Sequence, residues 1–302
     1  MRPLSVLWIA LLLFSFNALS AQTTWIGGTS TDWFTASNWS AGLPSNLNQP
    51  ATIPAAPAGG NFPDITAATT IDYQVDIFGQ LDISSAVILQ SALLRVFATS
   101  GQVEVISTGA LTIDSGSTIL NTDVFRVRGN LVNDGTYNNS GGGLTIVVGS
   151  GVFTNNGNVT NNDRFFNRNL VVNNGGFTNA LTFLNELNGE LINNSTFDNS
   201  SAGSVFTNGN ATSAGTITNN ADFFVSGLLD NTANGLINNF SAFNVRSNGT
   251  IDNNSEINNY ANFSLAGILN NDADFNNWGT LLNNFGGNFN NTGVLILSLI
   301  HI

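Results

Sequence analysis

The sequence predicts an all-β fold, a parallel β-helix (β-solenoid) of about 20 residues per coil behind an N-terminal cap. Three observations carry this. An apolar residue followed two places later by Asn recurs at a near-constant spacing. Each period contains three short strand-like pieces with alternating side chains. Asn and Gly, 49 and 31 of the 302 residues, separate those pieces.

The main track runs through Tyr137, Val159, Phe177, Phe197, Ile217, Ile237, Ile257 and Phe275, at spacings of 18 to 22 residues. Asn139, Asn161, Asn179, Asn199, Asn219, Asn239, Asn259 and Asn277 follow at the same offset. Six places earlier lies a weaker track, Leu131, Phe153, Val171, Leu191, Ala211, Asn231, Ile251 and Leu269. Six places later comes an aromatic track of Phe165, Phe183, Phe223, Phe243 and Phe263, closing with Leu281. Glycine-rich insertions displace it to around Ile146 and Phe206. Asn-Gly pairs such as Asn156-Gly157 keep antiparallel hairpins open as an alternative. The constant period favours coils, because identical positions then stack at about 4.8 Å. Asn suits the corners: it tolerates left-handed backbone angles, and its amide both donates and accepts, so stacked copies bond along the axis. Asn199, Asn219 and Asn239 are expected in one column.

Residues 1–21 read as a cleaved secretory signal: Met1-Arg2, an apolar run from Leu4 to Phe16, then Ala18-Leu19-Ser20-Ala21. The run falls short of the roughly 20 residues that span a bilayer. Residues 22–70 hold three of the five Trp and five of the six Pro, and read as a cap or entry segment. Residues 71–128 read as irregular coils and 129–296 as regular Asn-ladder coils. Residues 297–302, Leu297 to Ile302, resemble a translated sequencing adapter, which would make the single His301 foreign and leave the natural chain continuing past Ile296.

The entry segment carries Thr24-Trp25-Ile26-Gly27-Gly28, Asp32-Trp33, Ser37-Asn38-Trp39-Ser40, Gly42-Leu43-Pro44 and Ala51-Thr52-Ile53-Pro54. Over roughly 40 residues it resembles the opening of large secreted or surface proteins of Bacteroidota-type bacteria. The coils look like a right-handed parallel β-helix, a fold shared by adhesins, surface-layer-like proteins and polysaccharide lyases. The resemblance implies export and a C-terminal sorting domain, and none is visible in this sequence.

Composition excludes much chemistry. A net charge of −12 without Lys supplies no basic stripe for phosphates, which argues against nucleic acid and anionic lipid. The absence of Cys removes disulfides and thiolate zinc sites. A nucleophilic triad lacks a native base. What remains is carboxylate chemistry, or an Arg working with bound calcium. Glu256 and Asp274 alone share a track position in consecutive coils, at a spacing compatible with a retaining glycosidase pair; the commoner meaning is two solvated acids. Asp222, Asp230 and Asp252 share no track, which leaves a calcium cluster unsupported. Arg126 with Arg128, and Arg164 with Arg168, form two basic spots that surface pairing with Asp123 and Asp163 would neutralise. Trp25, Trp33 and Trp39 suit either a sugar platform or the core of a small cap. Asn38-Trp39-Ser40 and Asn262-Phe263-Ser264 match a glycosylation triplet, as Asn abundance alone produces.

The expected protein is therefore a secreted or cell-surface, structural or adhesin-like fragment that presents a polar rod surface without catalysis. The alternative is a polysaccharide-active β-helix lyase or glycoside hydrolase. No catalytic, cofactor-binding or metal-binding residue is assigned. Expected partners are glycans or cell-surface components, with self-association through an open solenoid end, and no nucleic acid or transmembrane helix.

Overall fold

The structure, a computed structural model, describes residues 22–298. The predicted signal and His301 lie outside the described residues. The described chain forms a β-solenoid of three parallel sheets. The first has 13 strands, from Thr23–Thr24 to Thr280–Asn283. The second has 12, from Asp64–Ile65 to Asn288–Asn291, and the third 12, from Thr69–Ile71 to Val294–Leu297. Each coil contributes one strand to each sheet in that order, so chain neighbours lie in different sheets and hydrogen-bond to the coils before and after. A single 3-10 turn, Ala36–Asn38, is the only helical element among the described residues.

Most strands are four residues long, with the second and fourth side chains buried and the first and third facing out. Strand alternation thus makes two inward columns per sheet. The leading inward column is apolar and largely aromatic. In the first sheet Phe177, Phe197, Phe223, Phe243 and Phe263 stack with centroids 4.8 to 5.2 Å apart. In the second, Phe165, Phe183 and Phe206 stack at 5.0 and 4.6 Å. The two columns meet edge to face, as in Phe183 against Phe177 and Phe197, each at 5.5 Å. Offset and edge contacts of this kind are the favoured aromatic geometries.

The trailing inward column is Asn, in three ladders. Asn121, Asn139, Asn161, Asn179 and Asn199 line the first sheet. Asn167, Asn185, Asn208, Asn231, Asn253, Asn271 and Asn291 line the second. Asn133, Asn155, Asn173, Asn193, Asn219, Asn239, Asn259 and Asn277 line the third. Every rung is an Nδ2 donating to the Oδ1 of the next coil. The same Nδ2 also donates to a backbone carbonyl of the neighbouring sheet: Asn173 to Thr196 O at 2.9 Å, Asn239 to Asn262 O at 3.0 Å. One buried amide therefore bonds coil to coil and sheet to sheet. None of these Asn has a left-handed backbone; among the described residues the positive-φ residues other than Gly are Ser91, Leu187 and Asn188. The ladder Asn are thus selected for their amide alone, which corrects half of the expected reason, while Asn188 at one corner does take a left-handed backbone.

The register also departs from the tracks. Asn199 stands beside Val225 in the first sheet, while Asn219 stacks between Asn193 and Asn239 in the third. The expected single column through Asn199, Asn219 and Asn239 is thus two columns in different sheets. The physical cause is a pair of widened corners, residues 200–204 and 209–214. Ladder neighbours across one of them are 23 residues apart, across both 26. The six added residues nearly equal one strand plus one corner, so a fixed 20-residue step moves each track one sheet around the coil. Phe223, Phe243 and Phe263 accordingly continue Phe177 and Phe197 rather than Phe165 and Phe183, and Ala211 lies in a corner. Ile146 points outward; the inward position belongs to Thr145, whose hydroxyl meets the Tyr137 hydroxyl at 2.8 Å.

At one corner Gly135, Gly157 and Gly175 stack so closely that a Cβ on either later residue would meet the preceding glycine's carbonyl oxygen at 2.2 or 2.1 Å. Coils of residues 71–128 keep the same three sheets with aliphatic side chains where Asn stands later, such as Leu89 and Ile113 below Asn133. Residues 22–70 contribute the first strands, and Trp25, Trp33 and Trp39 join the continuous core.

Candidate functional site: the outer face of the coils

Strand alternation leaves two outward columns per sheet, and these with the corners make the outer surface. Glu256 and Asp274 lie in register on the outer face of the third sheet, between Leu236 and Val294. The Glu256 Oε1 accepts from Asn258 Nδ2 at 2.8 Å. Glu256 is half-buried and Asp274 exposed, so water reaches the pair. Asp230 and Asp252 do share a column, opposed on the second sheet; the expectation of separate tracks fails because this coil is 22 residues long. Partial burial raises the Asp230 pKa, the Asp252 charge raises it further, and a bond with Asn254 opposes both. Asp252 accepts from Asn270 Nδ2 at 2.7 Å, and Asn270 Oδ1 in turn accepts from Asn290 Nδ2. Among the described residues no three acidic or imidazole side chains gather to hold a metal ion.

The arginines are satisfied within the rod. Arg126 and Arg128 both bond Glu104, at 3.0 and 2.6 Å, rather than Asp123, because register sets Glu104 opposite Arg126. Arg164 lies 3.6 Å from Asp163, as expected, and Arg168 reaches Glu186 of the next coil at 2.8 Å. Arg95 pairs with Asp76, and Arg246 with Asp198 while lying 4.3 Å over the Phe224 ring. Every described Arg is thus in an ion pair, and the two basic spots do not exist as free charge.

The three cap tryptophans are core, each at most 3 % exposed, with T-shaped contacts at 5.0 and 4.8 Å. Trp39 Nε1 donates to Trp33 O and Trp25 Nε1 to Asn61 O. No ring face is free for a sugar. Beside them a cleft of about 240 Å³ lies between Trp33, Leu43, Ser45, Thr70 and Asp72. Tyr73 at its wall has its phenol pKa pushed up by burial. Asn38 is fully buried and bonded to Thr29, Ser30 and Asp32, which excludes it as a glycosylation acceptor; Asn262 is exposed.

One surface feature lies outside the three tracks. At the corner after the third sheet, Asp134, Asn156, Asn174, Asn194 and Asn220 form an exposed ladder in which each Asn donates to the coil before it. In the next three coils the same corner holds Phe240, Tyr260 and Trp278, stacked at 4.8 and 4.9 Å with planes within 11°. They are 50, 44 and 46 % exposed. A periodic signal existed in the sequence: each aromatic directly follows a ladder Asn, Asn239, Asn259 or Asn277.

No family model matches the chain, and no curated protein matches it significantly. Among solved structures it is similar to the crystal structure of a TibC-catalysed hyper-glycosylated TibA fragment. That match has 14 % identity, covers 78 % of this chain and 92 % of that one, and has a TM-score of 0.36. Among the described residues no helix is long and apolar enough to cross a membrane.

Proposed function

We propose that this chain is a secreted or cell-surface, adhesin-like rod without catalytic activity, which makes weak polyvalent contacts with glycans or neighbouring cells through its polar outer columns. The carrying observation is the in-register stack: an outward Asn, Thr or Ser recurs at the interstrand repeat, so a weak contact on one coil is repeated on the next. The ladders and aromatic columns keep that spacing fixed. The signal-like residues 1–21 and the Trp-rich entry segment support export and an origin among Bacteroidota-type surface proteins. A glycan array probed with micromolar protein tests the adhesive part. Binding to several related glycans is the expected result, and an empty array would leave only a structural rod.

The in-register pair Glu256 and Asp274 supports a second reading, a polysaccharide-active enzyme. Release of oligosaccharide from pectin or alginate, abolished in Glu256→Gln, would establish it. The solvent-exposed setting of the pair favours the first reading.

A further inference from the structure

We propose that the Phe240, Tyr260 and Trp278 column is a binding strip for a neutral, unbranched glycan lying along the coil axis. This rests on the adhesive reading above and assigns it a site. Four observations converge.

The rings are parallel but 4.8 and 4.9 Å apart, more than the about 3.5–4.0 Å of carbon contact, so they slip over one another like shingles. Part of each face stays open, as the 44 to 50 % exposure requires. Sugar C–H groups pack on such faces. The Tyr260 hydroxyl and Trp278 Nε1 make no hydrogen bond within the structure, although such tips normally find a partner once covered. An occupant made only of hydrocarbon would bury both tips without a partner, at a cost that disfavours lipid. A polyol satisfies them.

The strip is continuous with the Asn156, Asn174, Asn194 and Asn220 ladder at the same corner. Each of those amides spends one N–H on its neighbour and keeps another for a hydroxyl. An aromatic strip running into an amide strip, both at the coil repeat, fits a linear repeating polymer better than a compact ligand. Charge then selects among polymers. The chain carries a net charge of −12, and all described Arg are held in ion pairs. A uronate or sulfated glycan would meet repulsion and no free cation.

Trp25, Trp33 and Trp39 are at most 3 % exposed, so the acrylamide quenching that Trp278→Phe removes from the full chain reports Trp278 itself. Hydroxyethyl cellulose, galactomannan and dextran serve as neutral probes, alginate and polygalacturonate as anionic ones. At least one neutral polymer should protect Trp278, and neither anionic polymer should. Tyr260→Ser and Phe240→Ser should each weaken that protection by about threefold to tenfold, as loss of one aromatic contact implies, with the cooperative thermal melt retained. Protection by an anionic polymer, or by no neutral one, overturns the proposal. If Trp278 stays unprotected while the protein still binds a glycan array, the strip fails and the adhesive rod stands; if the array is also empty, both fail.

Discussion

A buried Asn in this rod is never a solitary polar group. Each ladder amide donates upward and accepts from below, so the first residue of a ladder has an acceptor without a ladder donor. Asn121 and Asn167 fill that vacancy with the backbone N–H two residues on, each at 3.3 Å. Asn133 Oδ1, above Ile113, has no partner. The exposed ladder runs the opposite way and begins at Asp134, an acceptor-only carboxylate that leaves no orphan. Position within a ladder therefore decides what a substitution does. Asn193→Val deprives Asn219 Oδ1 of its donor and removes the bond to Asp222 O. Asn199→Val likewise removes the rung from Asn179 and the bond to Leu228 O, but Val225 and Val245 above it hold no amide oxygen to be orphaned. Urea denaturation should show Asn193→Val to be less stable than Asn199→Val by about 1–3 kcal/mol, the penalty of one unsatisfied buried acceptor. The identity of these residues was legible from the period. Their single purpose was not, since the preference of Asn for left-handed backbone is a general tendency that the ladder positions do not use.

The strand is the unit that the aromatic columns lock. Phe243 is 1 % exposed and stacks on Phe223 at 4.8 Å and Phe263 at 5.2 Å. Replacement by Ala should cost about 3–5 kcal/mol in thermal or urea melts, because rigid neighbours above and below cannot close the cavity. Phe240→Ala, three residues earlier and half exposed, should cost under about 1.5 kcal/mol in the same measurement, since it loses only one stacked neighbour. Sequence periodicity marked the strands but not which sheet each joins. Ile217 sits 20 residues after Phe197, and both are apolar residues followed by Asn. Only strand pairing reveals that Phe197 faces Phe223 and Ile217 faces Leu191. Asp230 and Asp252 were separated on paper for the same reason, and their register is a matter of coil length.

At the scale of the whole molecule, about 12 coils at roughly 4.8 Å give a rod about 55–60 Å long, which small-angle scattering measures directly. Its charge makes stability depend on pH. Asp230, raised by burial and by Asp252, and Asp82, raised by burial and by Asp64 and Glu104, both have folded-state values above the ordinary 3.8. Between 3.8 and the raised value the folded state holds a proton that the unfolded state has lost. Stability therefore falls as pH rises through that window. Asp230→Asn should melt at a higher temperature than the parent at neutral pH, with the gain shrinking as pH is lowered toward 3.8. Melting curves across that range check both the sign and the window.

The residue pattern alone determined that this chain is built of short strands in coils of about 20 residues, with Asn stacked on Asn along the axis, because alternation and period are local properties of a sequence. Tertiary structure alone decided which coil position each residue takes after the two widened corners, that every described Arg is neutralised, and that three aromatic residues remain outside in a line. Those outcomes depend on pairing between residues 18 to 26 positions apart, where one corner of a different length redirects every side chain that follows it.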